Sequence, residues 1–371
     1  MKINICGDFT TKGSGINSVR SGTAFSDDVL FLFSSADLNV VNLESPVVEE
    51  NSSPIKKIGP ALKTNKETIS YLKKCGVGMV TLANNHFCDY GYDGVKETIE
   101  SLDEYQIKHV GGGRNYDEIR DVAIFNYDDQ KIALLNYCEN EFSTLTSWGA
   151  NPLDTIDVCQ DLQKLKHTTD VRILIIHGGH EGYNLPSPRM KKLYRFFVDA
   201  GATVVINHHQ HCFSGWEEYH SGYIFYGLGN FFFDSTNSKI SKKWNYGYIC
   251  SLDISKSGGA KFQLFPYKQC LDAKSVILLD GEEKEKFDTE ISMLNDIIKS
   301  DGSLQACFLQ FCSSQITNIE TSFSPWQNRI LQALCRRNLL PSFVSGFKKL
   351  EMLNKLRCES HHDVAIEVLK K

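Results

Sequence analysis

The sequence predicts an α/β protein with an appended helical segment. Over residues 1–230, short apolar runs alternate with amphipathic segments, which is the pattern of alternating strands and helices. From about residue 281, apolar residues recur at helical spacing and strand signals end. The 371 residues, 42% of them hydrophobic, suffice for one large domain and an appendage. We therefore expect an α/β domain over residues 1–275 and a helical C-terminal extension over residues 276–371.

The first domain contains the predicted strands, most of which are short apolar runs. These strands are Lys2–Cys6, Asp37–Leu43, Gly78–Ala83, Gln106–Val110, Val122–Phe125, Ile132–Asn136, Val171–Ile176, Thr203–Ile206, Tyr223–Tyr226, Gly247–Ile254 and Lys261–Pro266. The helices predicted between them are Thr64–Cys75, Asp93–Tyr105, Leu153–Lys166 and Ser187–Ala200. Two polar segments, Glu49–Pro60 and Ser235–Asn245, are expected to be loops. The extension is predicted to contain the helices Glu282–Lys299, Leu304–Ile316, Trp326–Cys335, Leu340–Leu356 and His361–Leu369.

Composition excludes several classes of protein. The net charge is −5 and there is no long run of Lys or Arg, which argues against nucleic-acid binding. The 12 cysteines are scattered without CxxC spacing, so we interpret them as reduced, mostly buried residues. No apolar stretch approaches the roughly eighteen residues that a membrane span requires, and no signal peptide is visible. We therefore expect a cytoplasmic protein without a membrane span, with attachment to a membrane through a partner as the alternative.

Residues able to bind a metal follow the predicted strands at five points. They are Asp8, Glu44, Asn85-His86, His177 and His209-x-His211. Because ligands bind outside the carboxyl ends of strands in open α/β sheets, we expect these side chains to converge. Carboxylates, amides and imidazoles without a thiolate suit Mn, Fe or Zn. In an extended loop, residues i and i+2 point the same way, so His209 and His211 should face one side and His208 the other.

Several neighbouring polar residues each have two interpretations. His208 either orients a partner or packs in the core. His180 and Glu181 either begin a helix or contact the substrate and the residues that bind the metal. Asn84 either approaches the metal or caps a helix, and we favour Asn85 as the ligand. Asn230 either lines the rim of the site or belongs to a turn.

Six short motifs follow one another over roughly residues 1–235. They are Gly7-Asp8, Asn42-Leu43-Glu44, Ala83-Asn84-Asn85-His86 with Asp89-Tyr90-Gly91, His177-Gly178-Gly179-His180-Glu181, Asn207-His208-His209-Gln210-His211 and Tyr226-Gly227-Leu228-Gly229-Asn230-Phe231. Their order and spacing resemble those of bacterial CapA-type capsule or poly-γ-glutamate biosynthesis proteins, which are calcineurin-like metallophosphoesterases. The resemblance implies an α/β/β/α sandwich, in which two sheets pack face to face between outer helices.

The resemblance also implies a site for two divalent metal ions. Asp8 and His211 would hold one ion, Glu44 would bridge, and the other ion would be held by Asn85, His177 and His209. His86 would be the catalytic residue beside the substrate, where it stabilises charge or protonates the leaving oxygen. Two ions in such a site clamp the attacking and leaving oxygens of a phosphoryl transfer.

Two departures from the superfamily pattern bear on activity. The usual Asp-x-His is Asp8-Phe9-Thr10 here, so the first ion loses an imidazole ligand, and Asn207-His208 replaces Gly-His. The sequence is thus compatible with two metals or with one.

Two functions remain open. The first is metal-dependent hydrolysis of a phosphorylated, polymer-related substrate during the synthesis or processing of an extracellular polymer. The second is a non-catalytic or weakly catalytic accessory protein that binds an anionic polymer or a polymer synthase subunit through the same cleft. A dinucleotide-binding oxidoreductase is excluded, because no GxGxxG opens a helix after the first strand.

Overall fold

The computed structural model describes residues 1–140, 147–235, 242–254, 259–271, 274–323, 328–337, 339–340, 344 and 346–369. Parts of the predicted loop Ser235–Asn245 and of the predicted helices Trp326–Cys335 and Leu340–Leu356 lie outside these residues. The chain divides into two compact units, Met1–Gln305 and Ala306–Lys371.

Strands and helices alternate through the first unit. The strands are β1 (Lys2–Thr10), β2 (Leu38–Leu43), β3 (Met79–Thr81), β4 (Lys108–Val110), β5 (Gly112–Gly113), β6 (Ala123–Tyr127), β7 (Gln130–Cys138), β8 (Gly149–Ala150), β9 (Val171–His177), β10 (Val204–His208), β11 (Trp216–Tyr219), β12 (Gly222–Phe225), β13 (Asn230–Phe233), β14 (Tyr246–Ile254), β15 (Ala260–Gln269) and β16 (Val276–Leu278). The helices of this unit are α1 (Gly15–Ser21), α2 (Asp27–Ser34), α3 (Lys66–Lys74), α4 (Gly91–Glu104), α5 (Tyr116–Ile119), α6 (Thr155–Lys166), α7 (Pro188–Ala200) and α8 (Gly281–Lys299).

Two large sheets form the centre of this unit, and they confirm the predicted α/β sandwich. One sheet has the strand order β16-β15-β14-β1-β2-β3-β4, with β13 also paired to β1, and the other has the order β11-β12-β10-β9-β7-β6. They pack against each other where Phe262 of β15 contacts Trp216 and Phe225 of the second sheet. Apolar residues of α2, α3 and α4 join the core against the first sheet, and α6 and α7 cover the second. The layers are therefore helix, sheet, sheet, helix.

Parallel pairing aligns the strand ends that carry the metal-type residues. In the first sheet Asp8 of β1 is in register with Asn42 of β2 and with Asn230 of β13. In the second sheet His177 of β9 is in register with His208 of β10. The carboxyl ends of strands from both sheets thus meet at one seam, as expected for ligand sites in parallel sheets.

Eight elements of the first unit were absent from the sequence prediction: α1, α2, β5, α5, β8, β11, β13 and β16. Strand β1 also continues past the expected end at Cys6 to Thr10, because β13 pairs with this extension. The contact between the two is close, since a Cβ added to Gly7 would lie 1.8 Å from the carbonyl oxygen of Gly229. Asp8 is consequently a strand residue rather than a loop residue.

Helix α8 packs on the rest of the first unit through aromatic and polar contacts. The ring of Phe287, 5% exposed, lies 4.4 Å from the ring of Phe213 between centroids. Asn295 of α8 accepts a hydrogen bond from the backbone of Trp216 at 2.7 Å. The domain boundary between residues 275 and 276 remains a prediction, namely that residues 1–275 form a domain separate from the helical extension.

The second unit is helical over its described residues. It contains most of α9 (Asp301–Ser322), followed by α10 (Arg329–Arg336), α11 (Gly346–Arg357) and α12 (Glu359–Leu369). Among the helices in the described part of the chain, none combines the length and apolar content that crossing a membrane requires.

We predict that Phe287→Ala lowers the free energy of unfolding by about 3–5 kcal/mol, because it removes a buried aromatic ring and leaves a cavity. Chemical denaturation followed by circular dichroism measures this change. The matched control is Met293→Ala on the same helix, where the side chain is 63% exposed and the expected change is within about 0.5 kcal/mol. Equal stabilities for the two variants would show that α8 does not stabilise the first unit.

Candidate metal centre

Asp8 and Asn42 connect the two sheets at the seam. Asn42 Nδ2 donates a hydrogen bond to Asp8 Oδ1 at 2.7 Å and lies 3.2 Å from His177 Nδ1. Burial opposes ionisation of Asp8, but a hydrogen bond from His211 and the charge of His177 outweigh it and lower the pKa of this carboxyl. Asp8 is therefore an anion with its oxygens directed at imidazoles from the other sheet.

Glu44 follows β2 and is fully buried. Neither carboxylate oxygen has a hydrogen-bond partner among the residues that the structure describes. Its Oε1 lies 3.7 Å from His177 Nε2 and 3.6 Å from His211 Nε2. Burial raises the pKa of Glu44 well above its usual value, and the charge of His211 offsets this effect only in part. A buried carboxylate without partners is costly unless a cation neutralises it.

His177 ends β9, and imidazole and amide groups surround it. Its Nε2 lies 3.1 Å from Asn85 Oδ1, and its ring lies 4.7 Å from the ring of His209 between centroids. Burial and the neighbouring His209 lower the pKa of His177 well below its usual value. A neutral imidazole is the form that binds metals.

His211 is oriented by Asn230, the first residue of β13. Its Nδ1 lies 2.9 Å from Asn230 Oδ1, and Asn230 Nδ2 donates to the His211 carbonyl oxygen at 3.1 Å. With Nδ1 engaged there, Nε2 faces Glu44. Burial opposes the charge on His211, but Glu44 and Asp8 outweigh it and raise the pKa to about 10. Without a metal, His211 is thus the cation that partly balances the two carboxylates, and binding a metal requires it to lose a proton.

The loop that carries His209 and His211 is not extended, contrary to the sequence prediction. Their φ angles are 84° and 54°, in the left-handed region that side chains other than glycine rarely adopt. Such backbone costs about 1–3 kcal/mol per residue and persists where surrounding structure enforces it. Both imidazoles nevertheless reach the site, with their ring centroids 5.9 Å apart.

The described side chains fit divalent cations. Asp8, Glu44 and His211 form one group of ligand atoms within 4.8 Å of one another, and Glu44, His177 and His209 form a second. The groups share Glu44, whose oxygens have no hydrogen-bond partner among the described residues. The donors are oxygens and imidazole nitrogens, which suit Mn, Fe or Zn. These buried groupings could hold metal ions at the seam.

His86 lies beside this cluster, in the wall of a cavity of about 230 Å³ that Asn85, Glu181 and His211 also line. Its Nδ1 is 2.7 Å from Asp89 Oδ2, so Nε2 is the nitrogen left for contact with a ligand. Lys57 forms an ion pair with the fully buried Asp89. Neither Lys57 nor Asp89 was predicted as a site residue, although Asp89 belongs to the motif Asp89-Tyr90-Gly91.

The structure separates the remaining predicted residues by role. Asn84 connects the backbone at Leu43 to the backbone at His86. Its Nδ2 donates to the Leu43 carbonyl oxygen at 2.9 Å, and its Oδ1 accepts from the His86 N–H at 3.1 Å. His208 is buried, and its ring lies within 4.8 Å of ligand atoms of Asp8 and His177.

His180 and Glu181 differ in exposure. Glu181 is exposed, and one of its carboxylate oxygens lies within 4.8 Å of a ring nitrogen of His209 and of His211. His180 is half-buried, and its ring centroid lies 6.4 Å from that of Tyr183. Asn42 was missed as a site residue, although its position two residues before Glu44 on a strand places it on the same face.

Comparisons with known proteins agree with the motif order. Residues 2–235 match the model of a family described as bacterial capsule synthesis protein PGA_cap. The capsule biosynthesis protein CapA of Bacillus anthracis is 32% identical over 217 residues, which cover 55% of this chain and 53% of that protein. The PGA biosynthesis protein CapA of Bacillus subtilis is 28% identical over 242 residues, which cover 63% of this chain and 62% of that protein.

The chain therefore matches between about half and three fifths of the length of these two relatives. Among solved structures, a phosphatase from Mycoplasma pneumoniae aligns with a TM-score of 0.45 at 15% identity. The alignment covers 77% of this chain and 96% of that one.

We predict that the purified protein contains transition metal and that His177→Ala combined with His209→Ala lowers the metal content per chain at least severalfold, because two imidazole donors are lost. Elemental analysis by mass spectrometry measures it. The control is His220→Ala, whose exposed side chain lies 2.9 Å from Asp199 and outside the cluster. Unchanged metal content in the double variant would contradict the assignment.

A second prediction concerns Glu44 and thermal stability. In EDTA, Glu44→Gln should melt at or above the temperature of the wild type, because it replaces a buried carboxylate that has no hydrogen-bond partner among the described residues with a neutral amide. Added Mn²⁺ should raise the melting temperature of the wild type by mass action and have little effect on the variant. Differential scanning fluorimetry measures both. If Glu44→Gln melted below the wild type in EDTA and Mn²⁺ stabilised both proteins equally, Glu44 would stabilise the fold without binding metal.

Proposed function

Because the chain belongs to the bacterial capsule synthesis family PGA_cap, we propose that it is a metal-dependent phosphoesterase acting on a phosphorylated intermediate of an extracellular anionic polymer. The observation that carries this proposal is Glu44, a buried carboxylate between two groups of metal-type ligands. The family placement supports the polymer as the biological context, and a polymer synthase subunit is the partner that we propose with it.

The proposed ligand assignment divides the cluster into two positions. Asp8 and His211 hold one ion, Asn85, His177 and His209 hold the other, and Glu44 contributes to both. The two groups of ligand atoms that share Glu44 support this division. Divalent cations at such a site polarise a phosphoryl oxygen and lower the pKa of water.

The chain's own residues supply orientation and a proton. Asn42 and Asn230 fix the side chains of Asp8 and His211, so the ligands are preorganised before substrate enters. Asp89 accepts a hydrogen bond from His86 Nδ1, so the doubly protonated imidazole presents its Nε2–H to the leaving oxygen and donates that proton to it. The cavity beside His86 provides room for the phosphoryl group of the substrate.

We predict that His86→Gln lowers turnover of a chromogenic phosphoester by about 10²–10⁴-fold, the usual contribution of a positioned general acid. Its metal content should stay close to that of the wild type. Asn85→Ala should lower turnover and metal content together, because that residue is the proposed ligand. Steady-state kinetics on a panel of phosphomonoesters and phosphodiesters, with elemental analysis of each variant, provides the measurement.

Two outcomes would contradict the proposal in different ways. Full activity of His86→Gln on a substrate whose turnover needs metal would remove the proton-donor role. Metal binding without turnover of any substrate would favour a non-catalytic accessory protein. The fully buried Thr10, which occupies the position of the histidine in the Asp-x-His pattern of the superfamily, is the observation that favours this second candidate.

A further inference from the structure

The cavity beside His86 is lined by residues of two kinds. Those that belong to the candidate metal centre or border it are polar, and they include Asn85, Glu181 and His211. A second set of lining residues, which we call the apolar wall, consists of Ile58, Pro60, Leu62, Phe233 and Trp244. A ligand that places a polar group at the metal-type residues can therefore place an apolar group against this wall.

The segment that carries Ile58 is fixed at both ends by the buried Asp89. The carbonyl oxygen of Asp89 accepts a hydrogen bond from the Ile55 N–H at 2.8 Å. Its carboxylate forms an ion pair with Lys57 and accepts from the Leu62 N–H at 2.7 Å. Ile58 lies between these anchors with 88% of its surface exposed. The protein thus holds an exposed isoleucine at a defined place on the cavity wall.

Trp244 is a fixed part of the same wall. Its Nε1 donates a hydrogen bond to the Phe233 carbonyl oxygen at 3.0 Å. The ring centroid of Trp244 lies 4.9 Å from that of Phe233 and 4.8 Å from that of His211. Because the one polar atom of the indole is engaged in the protein, the half-buried ring offers the cavity apolar and aromatic surface.

Outside the metal-type cluster, the charged side chains among the described lining residues balance one another. Lys57 is paired with Asp89. Lys12 and Glu181 are exposed and carry opposite charges. A further anionic group on a ligand would gain little from this part of the cavity. An apolar group would be removed from water there, which is favourable.

We propose that the apolar wall binds the organic group of the substrate, so that the substrate is a phosphoester whose phosphoryl group is attached to an apolar alkyl or aryl group. Ile58 and Trp244 then determine specificity. The inference rests on the proposed function for the position of the phosphoryl group, and it narrows the class of substrate. Because the free energy of burial grows with the apolar area removed from water, the size of this group sets the affinity.

Isothermal titration calorimetry with phosphonates in the presence of Mn²⁺ tests the inference, because their carbon–phosphorus bond resists phosphoester hydrolysis. Methylphosphonate carries almost no apolar surface, whereas phenylphosphonate carries a ring and hexylphosphonate a chain. We expect phenylphosphonate or hexylphosphonate to bind about tenfold or more tightly than methylphosphonate, since more apolar area is buried. The tighter of the two identifies the apolar group. Equal affinity for all the phosphonates, or binding of none, would overturn the inference.

Ile58→Ser should lower the preference for the apolar phosphonate over methylphosphonate about threefold or more, because the variant removes apolar surface from the wall. Such an exposed substitution should leave folding intact. The matched control is Ile156→Ser on α6, where the isoleucine is 67% exposed and lies outside the cavity lining. The control should keep the preference of the wild type. A wild-type preference in Ile58→Ser would contradict the assignment.

Tryptophan fluorescence reports where the apolar group lies. Saturation with phenylphosphonate or hexylphosphonate should change the emission of the wild type, because Trp244 loses contact with water. The change should be absent in Trp244→Phe, which keeps an aromatic ring in the wall. Emission that stays constant during saturation would place the apolar group elsewhere and overturn the role of Trp244.

These binding assays separate the inference from the proposed function, because they need no turnover. Binding that depends on Ile58, in a protein that hydrolyses no phosphoester, would retain the apolar wall as a ligand site and remove the phosphoesterase. Conversely, metal-dependent hydrolysis of phosphoesters without any preference for apolar phosphonates would retain the enzyme and remove the inference.

Discussion

The seam between the two sheets concentrates buried charge, and the surrounding structure is arranged to hold it. Two carboxylates, Asp8 and Glu44, lie there out of contact with water. Their mutual repulsion and loss of hydration would be prohibitive for an ordinary core. The imidazoles of the second sheet offset part of this cost, and the protonated His211 contributes to that offset in the metal-free state. Strand register, the left-handed backbone at two histidines and the orienting amides all keep these charges together.

The sequence predicted much of this arrangement for one physical reason. Parallel strands end at a common edge, so polar residues placed after apolar runs must meet in space. That reasoning brought Asp8, Glu44 and His177 together without any knowledge of contacts. It did not predict how these side chains are oriented, because their orientation depends on hydrogen-bond partners from elsewhere in the chain. Asn42 illustrates the limit, since its amide contacts Asp8, which is 34 residues away in the sequence, and His177, which is 135 residues away.

Elements that depend on tertiary pairing were harder to predict. Strand β13 forms on β1, and its four residues carry no alternation of their own, because all four side chains are buried. The pair of Lys57 and Asp89 lies between a polar loop and a helix-start motif, where ion pairing has no periodic signature. The positive φ angles of His209 and His211 were likewise invisible, since favourable contacts rather than residue type impose them.

The position of the cluster across two sheets has a consequence for how the protein matures. Asp8 and Glu44 belong to the first sheet and His177 to the second, so a cation bound by all three would fasten one sheet to the other. The candidate ligands extend from residue 8 to residue 211, and a nascent chain cannot bring them together until these strands have been synthesised and docked. Loading with metal would then be a late event, thermodynamically coupled to closure of the seam. Scarcity of metal during growth would leave a population of chains with the two halves less firmly joined.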